Sequence, residues 1–371
     1  MQWTLVTAQD QLQQVLAEHR RAPAVAVDTE FMRRNTFFPK VALLQLCFDD
    51  HAWLIDPLAI DDLQPLRRLL AAPAITKVLH SASEDLELFA CWLGVQPVPL
   101  FDTQRAAGLL DLGFGVGYRG LVAAHCGVAI DKGETRSDWL QRPLTAAQCD
   151  YAALDVAYLL PLFRLLRERA EDEGKLAWIL EDGAVACAGA GSSNGDYARR
   201  VKGAGRLGPR QYAALVRLCQ WREAEAQARD KPRSWILDDR ACLALASAMP
   251  RDRGALSALD ALPQPVLRRS GDALLAAIDA ARHMPEAALP APPAAPLGPE
   301  ERRLLKRLKG QARALAERYA VAPELLLAGR DLEALLQEYR GVPVPEPPHW
   351  RGWRADRAIA PLRRFLREAA G

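Results

Sequence analysis

The sequence predicts an α/β domain with a mixed β-sheet, followed by two all-α helical domains. Up to about residue 180, short apolar runs rich in β-branched and aromatic residues alternate with segments of helical periodicity. Beyond that point the strand-like runs disappear and only helical periodicity remains. Two low-complexity stretches, one rich in glycine and serine and the other in proline and alanine, divide the chain into three parts.

The elements of the first part follow from these two periodicities. Strands are expected at 24–31, 41–48, 52–56, 76–80 and 100–103. Helices are expected at 63–71, 84–93, 104–110, 118–126 and 145–173. Strands that cluster early, with helices interleaved and following, indicate an α/β domain with a mixed sheet.

The domain boundaries follow from composition. The stretch AGAGSSNGDY is small, polar and glycine-rich, which is typical of a flexible linker. The Pro-Ala tract PEAALPAPPAAPLGP is typical of an extended tether. We therefore predict a first domain, a linker, a second domain, a second linker and a third domain at 1–187, 188–207, 208–286, 287–298 and 299–371.

The composition predicts a cytoplasmic protein with no membrane partner. Half of the 371 residues are hydrophobic, yet no uninterrupted apolar run approaches the length of about 18 residues that a membrane helix needs. The N-terminal stretch MQWTLVTAQDQLQQ has neither the basic nor the apolar region of a secretory signal. The seven cysteines include no Cys-x-x-Cys pair, which is typical of free thiols in a reducing compartment.

Charge is distributed unevenly along the chain, although the net charge is only +2. Residues 1–200 contain 19 Lys and Arg against 26 Asp and Glu, whereas residues 201–371 contain 29 against 20. This asymmetry indicates a polyanion that the basic half holds and the acidic half processes. The alternative is that arginines simply cover solvated helix faces, and charge alone leaves both interpretations open.

Three motifs place carboxylates at informative spacings. In VAVDTEF, residues two apart share a strand face, so Asp28 and Glu30 point the same way and repel each other unless a cation joins them. Asp85 opens a helix in HSASEDLELF. In CDYAALDVAYLLPLF, Tyr151 and Asp155 lie four apart on one helix face. Taken alone, the Asp85 motif is also typical of an acid in the first turn of a helix. The Tyr151 and Asp155 motif, taken alone, is also typical of an ordinary amphipathic helix.

Together the motifs predict a site for two divalent metal ions, Mg²⁺ or Mn²⁺. Hard cations prefer oxygen ligands and leave positions for water and phosphate. Two such ions about 3.5–4 Å apart can flank a scissile phosphate. The expected metal ligands are Asp28, Glu30, Asp85 and Asp155, and Tyr151 is expected to orient the attacking water by a hydrogen bond.

Two further residues are candidates for substrate binding. Phe31 follows Glu30 and has an aromatic face on which a terminal base can stack. His80 stands at a predicted strand end near Asp85, where ligands often bind in sheet folds. The alternatives are a buried core position for Phe31 and a hydrogen-bonded structural role for His80.

Four segments of the sequence are together specific for one family: VAVDTEFMRRNTFFPKVALLQL, HSASEDLELF, DKGETRSDWLQRPLTAAQCDYAALDVAYLLPL and the region 210–284. Through these segments the chain resembles the bacterial ribonuclease D family, part of the DEDDy group of two-metal 3′-to-5′ exonucleases. The resemblance implies a DnaQ-like, ribonuclease-H-like exonuclease domain and two helical HRDC domains, the second diverged. Matched position by position, it assigns Asp28, Glu30, Asp85 and Asp155 to the metals and Tyr151 to the water.

The resemblance also implies a substrate. It implies hydrolysis of RNA 3′ ends to nucleoside 5′-monophosphates, with tRNA precursors that carry 3′ extensions as substrates, and no obligate protein partner is predicted. A DNA-directed exonuclease stays open, because only contacts to the 2′-hydroxyl separate RNA from DNA. A non-catalytic RNA-binding adaptor is the other alternative, although four carboxylates without a metal would be electrostatically costly to keep.

Overall fold

The chain folds into two compact units in a computed structural model. The residues that the structure describes are 1–131, 133, 137–191, 197–259, 262–293 and 297–369. Unit 1 comprises Met1–Met32, Lys40–Ser192 and Pro299–Gly371, and unit 2 comprises Arg33–Pro39 and Ser193–Gly298. No helix in the described ranges has both the length and the apolar character needed to cross a membrane.

Within the described residues, unit 1 contains one six-stranded mixed sheet. Its strands are β1 Gln2–Val6, β2 Ala24–Met32, β3 Lys40–Cys47, β4 His51–Ile55, β5 Thr76–Leu79 and β6 Leu100–Asp102. The order across the sheet is β1-β4-β3-β2-β5-β6, with β3 antiparallel to β2 and β4 and the other neighbours parallel. The predicted mixed sheet is confirmed, and the short, partly polar β1 is an addition that the sequence prediction lacks.

The helices of the N-terminal part of unit 1 surround this sheet. They are α1 Gln9–Glu18, α2 Gln64–Ala71, α3 Ser83–Trp92, α4 Thr103–Leu109, α5 Tyr118–Cys126, α6 Ala146–Ala157, α7 Leu159–Asp172 and α8 Leu176–Gly189. Val25 and Val27 of β2 point into a buried core to which α1, α2 and α3 contribute. Helix α6 packs across β1 to β4. Since Asp28 and Glu30 alternate with the two valines along β2, they point to the opposite face from that core.

The predicted helix 145–173 is divided into α6 and α7 by the side chain of Tyr118. In a continuous helix, the backbone N–H of Tyr158 would donate to the carbonyl of Leu154. The Tyr118 hydroxyl accepts that N–H at 3.0 Å and itself donates to the Leu154 carbonyl at 3.1 Å. A side chain inserted into the backbone ladder in this way interrupts the helix.

Unit 2 is built from helices around its own core. They are α9 Tyr197–Arg200, α10 Pro209–Ala228, α11 Arg233–Ile236, α12 Asp239–Ala248, α13 Arg253–Ala258 and α14 Gln264–Arg282. Helix α10 packs against α12 and α14, and the core between them includes Leu218, Leu245 and Leu274. The segment Arg33–Pro39 belongs to this unit, because the carboxylate of Asp230 accepts the backbone N–H groups of Phe37 and Phe38 at 2.9 and 3.1 Å.

The C-terminal residues Pro299–Gly371 return to unit 1. Their helices are α15 Pro299–Tyr319, α16 Pro323–Leu326, α17 Gly329–Tyr339 and α18 Ala360–Glu368, the last preceded by the π-helical segment Ala355–Ile359. Asp182 of α8 forms a buried ion pair with Arg354 and accepts a hydrogen bond from Trp353 Nε1 at 3.2 Å. The Trp353 ring stacks on Trp178 with 4.5 Å between centroids. These contacts join the C-terminal helices to α8.

Candidate active site

The candidate active site lies on β2, where a bulge interrupts the pairing with β3. Asp28 is paired with Gln45, and the register of the two strands shifts between Glu30 and Phe31. Because directly paired residues project to the same face, Gln45 points to the same side as Asp28. Bulges redirect side chains and are frequent beside active sites.

Asp85 reaches this site from α3, which starts shortly after β5. Asp85 lies in the first turn of α3, while Leu86 and Phe89 anchor the helix in the hydrophobic core. The side chain of Asp85 accepts a hydrogen bond from the hydroxyl of Thr29, the residue between the two acids of β2. Strand β2 is therefore bonded directly to the first turn of α3.

Tyr151 and Asp155 reach the site from α6, one helical turn apart. Interaction with the Tyr151 hydroxyl counteracts the rise in the pKa of Asp155 that burial causes. Burial also raises the pKa of the Tyr151 phenol, and the charges of Asp155 and Glu30 raise it further. The phenol is therefore protonated at neutral pH.

Asp85 is buried and Asp28, Glu30 and Asp155 are partly buried, and desolvation is the largest cause of the raised pKa of each carboxylate. The pKa of Glu30 rises to about 8, with the charges of Asp155 and Asp85 adding to desolvation. The pKa values of Asp85 and Asp155 rise to about 6. The pKa of Asp28 lies well above its usual value, because burial and the charges of the other three all act on it. The structure thus brings the four acids into mutual electrostatic contact.

A loop before α6 supports Tyr151. Arg142 contacts the Asp56 carboxylate through two nitrogen atoms, at 2.6 and 2.8 Å, and donates to the carbonyl of Trp139 at 2.8 Å. The Trp139 ring lies 6.0 Å from the Tyr151 ring. A Cβ at Gly133 would lie 2.5 Å from Cδ2 of Tyr151, so the backbone passes too close to the ring for any other residue without a shift.

The two predicted substrate-binding residues have different surroundings. Phe31 follows the bulge and is partly exposed. His80 is mostly buried, with Nδ1 2.9 Å from the Thr103 hydroxyl and its ring 5.8 Å from that of Tyr118. Burial lowers the pKa of His80, against the opposing charge of Asp102. Binding of substrate by Phe31 and His80 stays a prediction.

The donor set fits hard divalent cations. Asp28, Glu30, Asp85 and Asp155 offer only oxygen atoms, the ligands that Mg²⁺ and Mn²⁺ prefer. The fully buried amide of Gln45, beside Asp28, has neither of its polar atoms hydrogen-bonded in the described part of the chain. In the geometry shown, the described residues include no three His, Cys, Asp or Glu side chains close enough to hold one ion. Uncompensated carboxylates repel each other, and a bound cation would draw them together.

The sequence prediction missed four residues of this site: Thr29, Gln45, Arg119 and Arg142. Thr29 lies between the two acids of the strand motif, and Arg142 lies in the distinctive SDWLQRPL block, so the sequence contained a signal for both. Gln45 is revealed only by the strand register. Arg119, whose guanidinium carbon lies 5.7 Å from the centre of the Tyr151 ring, is revealed only by the packing of α5.

Comparisons with known proteins show which families the chain resembles. The family model described as 3′-5′ exonuclease matches residues 3–171, and the model described as HRDC domain matches residues 211–278. The chain is 42% identical to Ribonuclease D of Pseudomonas paraeruginosa over 96% of each chain, and 35% identical to Ribonuclease D of Escherichia coli over 99% of each.

A solved structure is similar over nearly the whole length. The crystal structure of Escherichia coli RNase D, described as an exoribonuclease involved in structured RNA processing, has a TM-score of 0.90 and 35% identity and covers 99% of each chain. The matched exonuclease domain implies the use of divalent metal ions. The chain therefore belongs to the ribonuclease D family and is a 3′-to-5′ exoribonuclease.

Proposed function

We propose that this exoribonuclease hydrolyses RNA 3′ ends at the four-carboxylate cluster by a two-metal mechanism and releases nucleoside 5′-monophosphates. The observation that carries the proposal is the grouping of Asp28, Glu30, Asp85 and Asp155, which are buried or partly buried and each have a raised pKa. No Lys or Arg among the described residues forms an ion pair with any of them. Four neighbouring acids that are largely withdrawn from water and form no ion pair within the described residues need a bound cation to be stable in the ionised form.

The residues of the site have two proposed roles: some hold the metal ions and others orient neighbouring groups. The four acids would hold Mg²⁺ or Mn²⁺, which when bound supply charge neutralisation at the scissile phosphate and acidify a water molecule. Thr29 keeps Asp85 turned toward β2, because its hydroxyl occupies Oδ1 of that carboxylate.

Tyr151 positions the attacking water. Its phenol keeps its proton, because burial and the neighbouring acids raise its pKa. Its hydroxyl interacts with the Asp155 carboxylate, and a phenol oxygen can at the same time accept a hydrogen bond from water. The new bond forms between the water oxygen and phosphorus, and the bond from phosphorus to the 3′-oxygen of the preceding nucleotide breaks.

The proposed domain organisation assigns RNA binding to the helical parts. It comprises an exonuclease domain, a linker, an HRDC domain, a second linker and a diverged HRDC-like domain at 1–187, 188–207, 208–286, 287–298 and 299–371. The HRDC match at 211–278 and the excess of 29 Lys and Arg over 20 Asp and Glu in residues 201–371 support this assignment. The last domain is packed against α8 through Arg354 and Trp353.

We further propose tRNA precursors with 3′ extensions as the physiological RNA, acted on in the cytoplasm without an obligate protein partner. The relative from Escherichia coli is described as acting in structured RNA processing, which supports a folded RNA with a single-stranded 3′ end. All seven cysteines are free thiols, as expected in a reducing compartment.

Digestion of 5′-labelled RNA tests the proposal. A single-stranded RNA, its DNA analogue and a tRNA precursor with a 3′ extension are incubated with the full chain in Mg²⁺, Mn²⁺ or EDTA. We expect stepwise shortening from the 3′ end and nucleoside 5′-monophosphate products, only with metal, and faster on RNA. The Asp28→Asn chain should be inactive, whereas Asp172→Asn, which changes an exposed acid at the end of α7, should match the unaltered chain. Full activity of Asp28→Asn would contradict the assignment of the site.

A further inference from the structure

Arg119 is a cation beside the proposed site that makes no ion pair with any other residue in the described ranges. It lies in the first turn of α5, and its guanidinium carbon is 5.7 Å from the centre of the Tyr151 ring. Its positive charge is close enough to Asp155 to lower the pKa of that acid and to Tyr151 to lower the pKa of the phenol, although burial outweighs both effects. Within the described residues, the Arg119 side chain forms no hydrogen bond or salt bridge.

This arrangement is unusual for an arginine next to four acids. A guanidinium has five N–H donors in a planar fork and gains most from bidentate contacts with carboxylate or phosphate. Arg119 is half-buried and rests near the face of an aromatic ring, so part of its hydration is already lost while its donors find no acceptor among the described residues. Such a group is preorganised for an anion that arrives from solution.

The anion that the reaction brings to this place is an RNA phosphate. Tyr151 is the residue proposed to orient the attacking water, so the phosphorus atom that the water attacks must lie near its hydroxyl. Negative charge develops on the non-bridging oxygens of that phosphate during hydrolysis, and an arginine next to them stabilises that charge. Arg119 lies beside Tyr151, the residue proposed to orient the attacking water.

We propose that Arg119 donates hydrogen bonds to a non-bridging oxygen of the scissile RNA phosphate. The inference rests on the proposed function, because it takes the position of the phosphate from the roles of Tyr151 and Asp155. In this arrangement Arg119 contacts the phosphate next to Tyr151, the residue proposed to orient the water. Nothing in the family matches assigns this role to α5.

Three substitutions and two substrates test the assignment. We expect Arg119→Gln to lower kcat/KM about 10- to 100-fold, since it removes a charge-assisted hydrogen bond to the transition state. Arg119→Lys keeps the positive charge but loses the planar, bidentate donor geometry of the guanidinium. Its kcat/KM should therefore lie between those of Arg119→Gln and the unaltered chain. Arg167→Gln, which removes an exposed arginine paired with Glu171 on α7, is the matched control and should leave kcat/KM unchanged.

The choice of substrate separates the scissile phosphate from its neighbours. A dinucleoside monophosphate contains one phosphodiester, so every phosphate contact that it makes is with the scissile group. The same fold-loss for Arg119→Gln on this dinucleotide and on a long single-stranded RNA supports the assignment. A loss seen on the long RNA but absent from the dinucleotide would overturn it.

A double-mutant cycle separates direct contact from action through Tyr151. If Arg119 binds the phosphate, the losses caused by Arg119→Gln and Tyr151→Phe multiply, because each removes a different interaction. If Arg119 only tunes the phenol, Arg119→Gln has no effect in the Tyr151→Phe background, and the inference is wrong. Single-turnover rates with thermal melting of each variant provide the comparison. Undiminished rates for Tyr151→Phe and Asp155→Asn would overturn the proposed function itself, whereas losses for these two with none for Arg119→Gln would overturn only the inference.

Discussion

The hydroxyl of Thr29 donates a hydrogen bond to Oδ1 of Asp85, and so links β2 to the first turn of α3. Thr29 is only 7% exposed and lies between the two acids of β2. The bond occupies one oxygen of a proposed metal ligand and fixes the direction of the other. Partners of this kind orient ligands and raise metal affinity.

Thr29→Val should lower kcat and the affinity for Mg²⁺ by about 10-fold or more, because it removes the hydroxyl and keeps the shape of the side chain. Thr29→Ser keeps the hydroxyl and is the matched control, for which we expect near-normal values. Metal titration of the initial rate measures both quantities. Identical Mg²⁺ titrations for the valine and serine variants would show that the hydrogen bond has no role in ligand orientation.

Asp28→Asn should abolish most activity, with a loss of at least about 100-fold, and yet raise the melting temperature in EDTA. The substitution removes one of four neighbouring like charges, so electrostatic repulsion in the metal-free fold decreases. Addition of Mn²⁺ should stabilise the unaltered chain but not the variant, since binding to the folded state raises its stability. Melting curves with and without Mn²⁺ check this, and a variant stabilised as much as the unaltered chain would exclude Asp28 as a ligand.

Tyr151→Phe should reduce the single-turnover rate about 100-fold and leave RNA affinity nearly unchanged, because only the hydroxyl that orients water is removed. The aromatic ring that Trp139, Gly133 and Arg119 contact is retained. Rates at saturating enzyme, compared with equilibrium binding in EDTA, separate the two effects. A loss found entirely in binding would contradict the assigned role.

Arg354→Ala should lower the free energy of unfolding of the full chain by about 3 kcal/mol, because it leaves the buried Asp182 without its main partner. The neighbouring Arg351→Ala removes an exposed arginine paired with Glu346, and we expect a change below about 0.5 kcal/mol. Chemical denaturation followed by circular dichroism measures both values. Equal stabilities for the two variants would mean that the buried pair does not join the C-terminal helices to α8.

The same pair predicts a pH dependence in acid. Burial raises the pKa of Asp182, but the hydrogen bonds and charges of Arg354 and Arg105 outweigh it and lower the pKa below the usual value. The stabilisation that ionised Asp182 gives the folded state is therefore complete above pH ~4, the pKa of an aspartate in the unfolded chain. It is lost as pH falls through the lower pKa that Asp182 has in the folded state. The melting temperature of Asp182→Asn should fall less steeply below pH ~4 than that of the unaltered chain. Parallel curves would rule out this contribution of Asp182.

Local periodicity was sufficient to predict several parts of the site. Alternation along VAVDTEF places Asp28 and Glu30 on one face, and a spacing of four places Tyr151 and Asp155 on one face of α6. The mixed sheet also follows from the early clustering of strands. These features depend on residues that are neighbours in the chain, so the backbone geometry of a strand or a helix determines them.

Contacts between residues far apart in the chain were decided by the tertiary structure alone. The Tyr118 hydroxyl divides the helix predicted at 145–173, the register of β3 brings Gln45 beside Asp28, and the packing of α5 brings Arg119 to Tyr151. The Arg354–Asp182 pair joins residues separated by 172 positions. No periodicity encodes such pairs, because they depend on how completed helices and strands pack and on which charges that packing removes from water.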